Sequence, residues 1–154
     1  MQQLILLEKY LIDPSLNKKL KYFKFENNKE YFEASDKNKF FIENGIPNFF
    51  INEKNEKVTN LQKDFYNEIK FPNYDNIEDF GTLIDKAKKS IFADKLDNEI
   101  PMNSYILEAG CGTGQLSIFL SRYNRKVFGI DLSQGSLELA ENFINKNDIQ
   151  NVFF

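Results

Sequence analysis

Short apolar runs closed by acidic residues set the rhythm of the C-terminal part of the chain. Tyr105-Ile106-Leu107 leads into Glu108, and Lys126-Val127-Phe128-Gly129-Ile130 ends at Asp131. Runs of this length bounded by turn residues predict strands. Gly114 to Tyr123 between them predicts a helix, Ser133 to about Lys146 predicts another, and Ile149-Gln150-Asn151-Val152-Phe153-Phe154 reads as the opening of a third strand. This alternation predicts an α/β fold built on a parallel sheet. Further upstream, Val58, Leu61, Phe65 and Ile69 recur at helical spacing until Phe71-Pro72-Asn73-Tyr74-Asp75-Asn76 interrupts, because proline cannot continue the helical ladder. Phe80, Leu83, Ile84, Ala87, Ile91 and Leu96 then predict one apolar stripe of a single second helix packed on the sheet.

The N-terminal pattern is different. From Leu4 to about Ile51, runs such as Lys21-Tyr22-Phe23-Lys24-Phe25 and Lys29-Glu30-Tyr31-Phe32-Glu33 are separated by turns at Asn27-Asn28 and Asp36-Lys37-Asn38. That is the signature of a small antiparallel β module.

The linker between the first two predicted strands of the C-terminal part carries the chemistry. Glu108-Ala109-Gly110-Cys111-Gly112-Thr113-Gly114 places glycines at alternate positions, where the backbone can turn sharply, reach positive φ and approach a ligand closely. The following helix would point its N-terminal amides at that turn and favour an anionic group there. Asp131 lies 17 residues after the last of these glycines, where its carboxylate can accept hydrogen bonds from ribose hydroxyls. A nucleoside-binding half of an α/β fold is the reading. Spacing disfavours a dinucleotide, since the G-x-G-x-x-G fingerprint needs glycine at Gln115. Glu108 would also set a negative charge beside two phosphates, whereas an ammonium or sulfonium would find it attractive.

These residues resemble a family. Glu108 to Gly114 with Gln115-Leu116-Ser117 looks like the first motif of class I S-adenosyl-L-methionine-dependent methyltransferases, and Gly129-Ile130-Asp131-Leu132-Ser133 looks like the second. The likeness covers about Ser104 to Asn145. It implies that Glu108, Gly110, Gly112 and Gly114 contact the methionine portion of S-adenosyl-L-methionine, that Asp131 takes the ribose hydroxyls, and that Leu132 lies beside the adenine. It also implies the N-terminal portion of a Rossmann-like methyltransferase sheet, with its first two strands and the start of a third. Phe40 to Phe50, with its Asn44-Gly45-Ile46-Pro47 turn before an apolar pair, resembles the closing strand of a zinc-ribbon-like accessory domain that precedes some methyltransferases. Where that family often has metal-binding cysteines this segment has none, so packing or partner contact is the expected role. The organisation expected is a β-rich accessory module over 1–57, a helical connector covering the cofactor side over 58–100, and an incomplete S-adenosyl-L-methionine-binding domain over 101–154.

Other readings of the same residues stay open. The glycine turn could hold no ligand, and Asp131 could be only a turn residue, with Ser133 capping the next helix. Tyr74 reads as an aromatic wedge between helices, with pocket lining as the alternative. Composition narrows the chemistry further. With zero histidines and one cysteine, a Cys/His zinc site, a Ser-His-Asp triad and a Cys-His pair are excluded, and Cys111 has no base to activate it. No disulfide framework can form, and Leu4 to Leu7 is far short of a membrane span, so a soluble cytoplasmic protein without metal is expected. The 20 basic and 23 acidic side chains give a net charge of -3, with no lysine-rich face to indicate nucleic acid. The 16 phenylalanines and 7 tyrosines are ample for a core.

A full seven-stranded sheet of the resembled family needs more chain than the roughly 50 residues after Pro101. A fragment is therefore expected, binding the cofactor weakly or not at all by itself, with transfer of the sulfonium methyl to an acceptor performed by the longer product. The acceptor is unidentified, a small molecule being slightly favoured over RNA or protein. The two competing classes are a nicotinamide-dependent oxidoreductase and a non-catalytic interaction module with a vestigial nucleotide half.

Overall fold

The computed structural model describes residues 2–13, 16–25, 29–50 and 73–154. The predicted helix over Val58 to Ile69 lies outside these residues. The chain divides into two compact units, Met1–Lys54 and Asn55–Phe154. The described part of the expected 58–100 connector therefore belongs to the same unit as the glycine loop.

The first unit is mixed but mostly β. Helix α1 (Gln2–Leu7) opens it, a departure from the strand pattern; Leu4 and Leu7, three residues apart, lie on one helical face and are both buried. Strands β1 (Ile12–Asp13) and β2 (Lys18–Lys19) form a two-stranded ribbon. Strands β3 (Lys21–Lys24), β4 (Glu30–Glu33), β5 (Lys39–Glu43) and β6 (Ile46–Pro47) form an antiparallel meander in that order. Its register sets Tyr22 opposite Phe32 and Phe32 opposite Phe40, and Phe32 is fully buried. The turn from β5 to β6 is the two-residue Asn44-Gly45 step, with φ of 52° and 86°. Two positive φ values in a two-residue hairpin match the right-handed twist of the strands, which explains the Asn-Gly choice.

The second unit alternates helix and strand. Helix α2 (Phe80–Ala87) starts from a reciprocal cap between Asp79 and Thr82, and helix α3 (Ile91–Glu99) starts from Ser90. Two helices thus replace the single one expected. Ser90 accepts the Ala93 N–H at the break, and the second helix restarts in a new phase. Consequently Ile91 is 87% exposed, while Ala93 and Asp97 turn inward.

Strand β7 (Tyr105–Ala109), helix α4 (Gln115–Leu120), strand β8 (Lys126–Ile130), helix α5 (Gln134–Lys146) and strand β9 (Val152–Phe153) follow. Both strand pairs are parallel, in the order β7-β8-β9, with Glu108 opposite Gly129 and Val127 opposite Val152. Helix α4 stops at Leu120, short of the expected Tyr123, because Tyr123 and Asn124 both turn to φ of 59°. Strand β9 is likewise shorter than expected. One face of the sheet is buried at Val127 and Val152, whereas Tyr105 and Leu107 alternate outward and are exposed.

A buried ion cluster joins α3 to the stretch between α4 and β8. Arg125, almost fully buried, donates to Asp97 Oδ1 at 2.7 Å and to the carbonyl oxygens of Asp97 and Pro101, while Arg122 reaches the other carboxylate oxygen of Asp97. A buried charge needs such partners.

Candidate functional site

The site grows from the end of β7. Gly110, Gly112 and Gly114 all take positive φ, at 74°, 54° and 72°. The Gly110 and Cys111 amides donate to the Ile130 carbonyl at 2.8 and 3.1 Å, which pins the loop to the end of β8. Its middle is held by Asp131, whose Oδ2 accepts the Gly112 N–H at 2.8 Å.

The glycines do different work. A side chain at Gly114 would drive its Cβ to within 2.4 Å of the Phe154 ring and 3.0 Å of Ala140. At Gly129, beneath the loop, the same ring would be met at 2.7 Å and the Cys111 sulfur at 2.9 Å. Those two positions are small because Phe154 packs there. At Gly110, no atom of the described residues lies within 4 Å of where a Cβ would be. Among the described residues, then, a side chain at Gly110 would meet no neighbour, unlike one at Gly114 or Gly129.

Two carboxylates stand beside the loop. Glu108 is half-buried and accepts a hydrogen bond from the Ser117 hydroxyl of α4. Burial holds its carboxyl above the usual carboxylate range, and the nearby charge of Asp131 pushes it in the same direction. The structure therefore brings the two acidic residues together. Asp131 Oδ1 accepts the Ser133 N–H at 2.8 Å, so the residue does shape the turn, yet Ser133 caps α5 through Ser136 as well. Each carboxylate oxygen keeps lone-pair capacity beyond that one bond. Leu132 follows with its side chain 46% exposed.

Cys111 is buried, and its thiol is pushed up to about 12 by burial and by the charges of Glu108 and Asp131. It is no nucleophile at neutral pH. Helix α4 has only six residues, so its dipole contributes little to the expected anion preference. Among the described residues no group of His, Cys, Asp and Glu could hold a metal ion, and no helix is long and apolar enough to cross a membrane.

Three long-range contacts that no local pattern encodes hold the loop. Tyr74 donates its hydroxyl to the Thr113 carbonyl at 2.7 Å, Gln115 donates to the Asn73 carbonyl at 2.6 Å, and the Phe154 ring packs against Gly114 and Gly129. Ser117, the partner of Glu108, is a buried polar residue among the apolar Leu116, Ile118, Phe119 and Leu120 of α4.

Glu108 and Asp131 thus stand beside an exposed glycine turn at the ends of two parallel strands. Comparison with known proteins makes this specific. A family model described as a methyltransferase domain matches residues 106–154. The chain is 33% identical over 63 residues to an uncharacterized RNA methyltransferase of Clostridium tetani (strain Massachusetts / E88), covering 41% of this chain and 13% of that protein. It is 34% identical over 50 residues to the S-adenosyl-L-methionine-dependent Diels-Alderase iccD of Talaromyces variabilis, covering 32% of this chain and 17% of that protein. The matched stretch is similar to a methyltransferase domain. It spans less than a fifth of the length of either relative.

Proposed function

We propose that this chain supplies the S-adenosyl-L-methionine-binding half of a Rossmann-like methyltransferase sheet, and that the protein acts in methyl transfer. The observation that carries the reading is Gly110: at φ of 74° no described atom lies within 4 Å of where its Cβ would be, and Glu108 and Asp131 flank the loop it begins. The relatives support it too, one being named for methyl transfer and the other for dependence on S-adenosyl-L-methionine.

The residues present fit that cofactor. Glu108 would face the ammonium and sulfonium charges, Gly110 and Gly112 would offer backbone without side chains, Asp131 would accept the ribose hydroxyls, and Leu132 would lie against the adenine, with Gly114 shaping the loop from behind. When bound, the cofactor supplies an activated methyl group on a good leaving group. What remains for the protein is positioning and exclusion of water. Raised by burial, the Glu108 carboxyl is held in place by Ser117, so its charge is directed rather than free to rotate. Among the described residues β7 pairs with β8. In open α/β sheets the ligand sits outside the carboxyl ends of the strands.

A nicotinamide cofactor is disfavoured by Gln115 at the place of a third fingerprint glycine and by the carboxylate of Glu108 near the pyrophosphate position. The test is an amide chemical-shift titration of the labelled chain, which detects binding even in the millimolar range. With S-adenosyl-L-methionine, changes should cluster at Gly110 to Gly112 and Asp131 to Leu132, and NADH should leave those amides still. An absence of shifts at those amides, or the same shifts with NADH, would overturn the assignment.

A further inference from the structure

We infer that Asn73 and Tyr74 brace the glycine loop in its ligand-ready shape, Tyr74 being a positioning residue rather than a lining of the pocket. The inference rests on the cofactor reading above.

The geometry has three ties. The Tyr74 ring stacks on Phe143 of α5, with centroids 4.5 Å apart and planes tilted by 21°. From that platform its hydroxyl donates to the Thr113 carbonyl at 2.7 Å, across 39 residues of sequence. The backbone beside it receives the Gln115 side-chain amide at 2.6 Å, across 42 residues. Thr113 and Gln115 flank Gly114, so the loop is gripped on both sides of its last glycine.

The grip is itself anchored. Downstream of Tyr74, the Phe80 N–H donates to Asn147 Oδ1 at 3.0 Å, and Lys146 Nζ donates to the Glu78 carbonyl at 2.8 Å. Residues 73–80 are thus tied at one end to the glycine loop and at the other to the end of α5. Burial raises the Tyr74 phenol above its ordinary value, so it stays a neutral donor throughout the physiological range.

The consequence for binding follows from backbone freedom. Glycine loses more backbone freedom on ordering than any other residue, and this loop holds three with positive φ. Ordering it at the moment of binding would subtract from affinity, whereas a loop ordered in advance binds without that loss. The Tyr74 hydroxyl supplies the order without touching the ligand.

The test compares the wild-type chain with Tyr74→Phe, which keeps the ring on Phe143 and removes one oxygen. S-adenosyl-L-methionine affinity is read from the Leu132 amide shift well below the melting temperature, alongside hydrogen exchange at the Gly112 amide. Tyr74→Phe should weaken binding by roughly tenfold and accelerate Gly112 exchange. Gln115→Ala cuts the second tie at a surface contact, and should weaken binding by a smaller factor in the same direction. A purely structural role would lower the melting temperature and leave affinity unmoved in folded protein. Equal affinity in all three proteins overturns the brace and leaves the cofactor reading standing. No binding by the wild type overturns the cofactor reading, and the brace falls with it.

Discussion

Replacing Gly110 and Gly114 separately with alanine separates the demands of the ligand from those of packing. Both positions carry positive φ, 74° and 72°, so each substitution meets the same left-handed penalty of about 1–2 kcal/mol. At Gly110 that is the whole cost, because no described atom lies within 4 Å of the new methyl group. At Gly114 the methyl would sit 2.4 Å from Phe154 Cζ and 2.6 Å from Cε1, and a rigid aromatic ring cannot yield as a flexible chain end can. Overpacking of this kind adds about 1–3 kcal/mol, for a total of about 2–5 kcal/mol. In a unit of this size each kcal/mol lowers the melting temperature by roughly 4–8 °C. Thermal and urea unfolding should therefore find Gly114→Ala clearly less stable than Gly110→Ala. A double-mutant cycle with Phe154→Leu should recover part of the Gly114→Ala loss and none of the Gly110→Ala loss. For binding the order reverses: Gly110→Ala stays folded but loses the cofactor-induced shifts. Equal destabilisation by the two alanines, or a Gly110→Ala protein that binds S-adenosyl-L-methionine as well as wild type, would refute the division of labour.

Asp97→Ala leaves the buried guanidinium of Arg125 and that of Arg122 without their carboxylate, and should cost about 3–5 kcal/mol in denaturant unfolding. Glu108→Gln keeps an acceptor for Ser117 but removes a charge that burial disfavours. Because the folded-state pKa of Glu108 is raised, its ionisation lowers stability as pH rises through the carboxylate range, so the variant should be the more stable protein at neutral pH. The same change should weaken cofactor binding by about tenfold or more, since a hydrogen bond to a charged partner is lost. Dye labelling of Cys111 at pH 8 should be negligible until the protein unfolds. Its thiol titrates at about 12 when folded, against the ordinary value of 9.0, so its contribution to stability is intact below pH 9 and is lost as pH rises towards 12. Rapid labelling of the folded chain would contradict the burial of that sulfur.

Local chemistry was legible in the residues themselves. The strand Tyr105–Ala109, the glycine turn, the strand Lys126–Ile130 and the helix ending at Lys146 each follow from patterns a few residues long: apolar runs, positive-φ glycines and a serine cap. The Asn44-Gly45 hairpin belongs to the same class. The methyltransferase resemblance was legible for a related reason, since both motifs are contiguous stretches that build the two sides of one turn. The break at Ser90 was missed because an apolar stripe continues through it, although the cap that causes it is local too. Tertiary structure decided the rest. It determined that Asp97 meets Arg122 and Arg125 across 25 and 28 residues, that Tyr74 reaches Thr113 across 39, and that Phe154 makes Gly114 and Gly129 obligatory on packing grounds. Steric limits on φ and ψ and side-chain bonds to nearby amides act within a turn or two of chain, so sequence carries them. Contacts between distant segments exist only once the strands have fixed where each segment lies, and no short pattern encodes the distance that separates them.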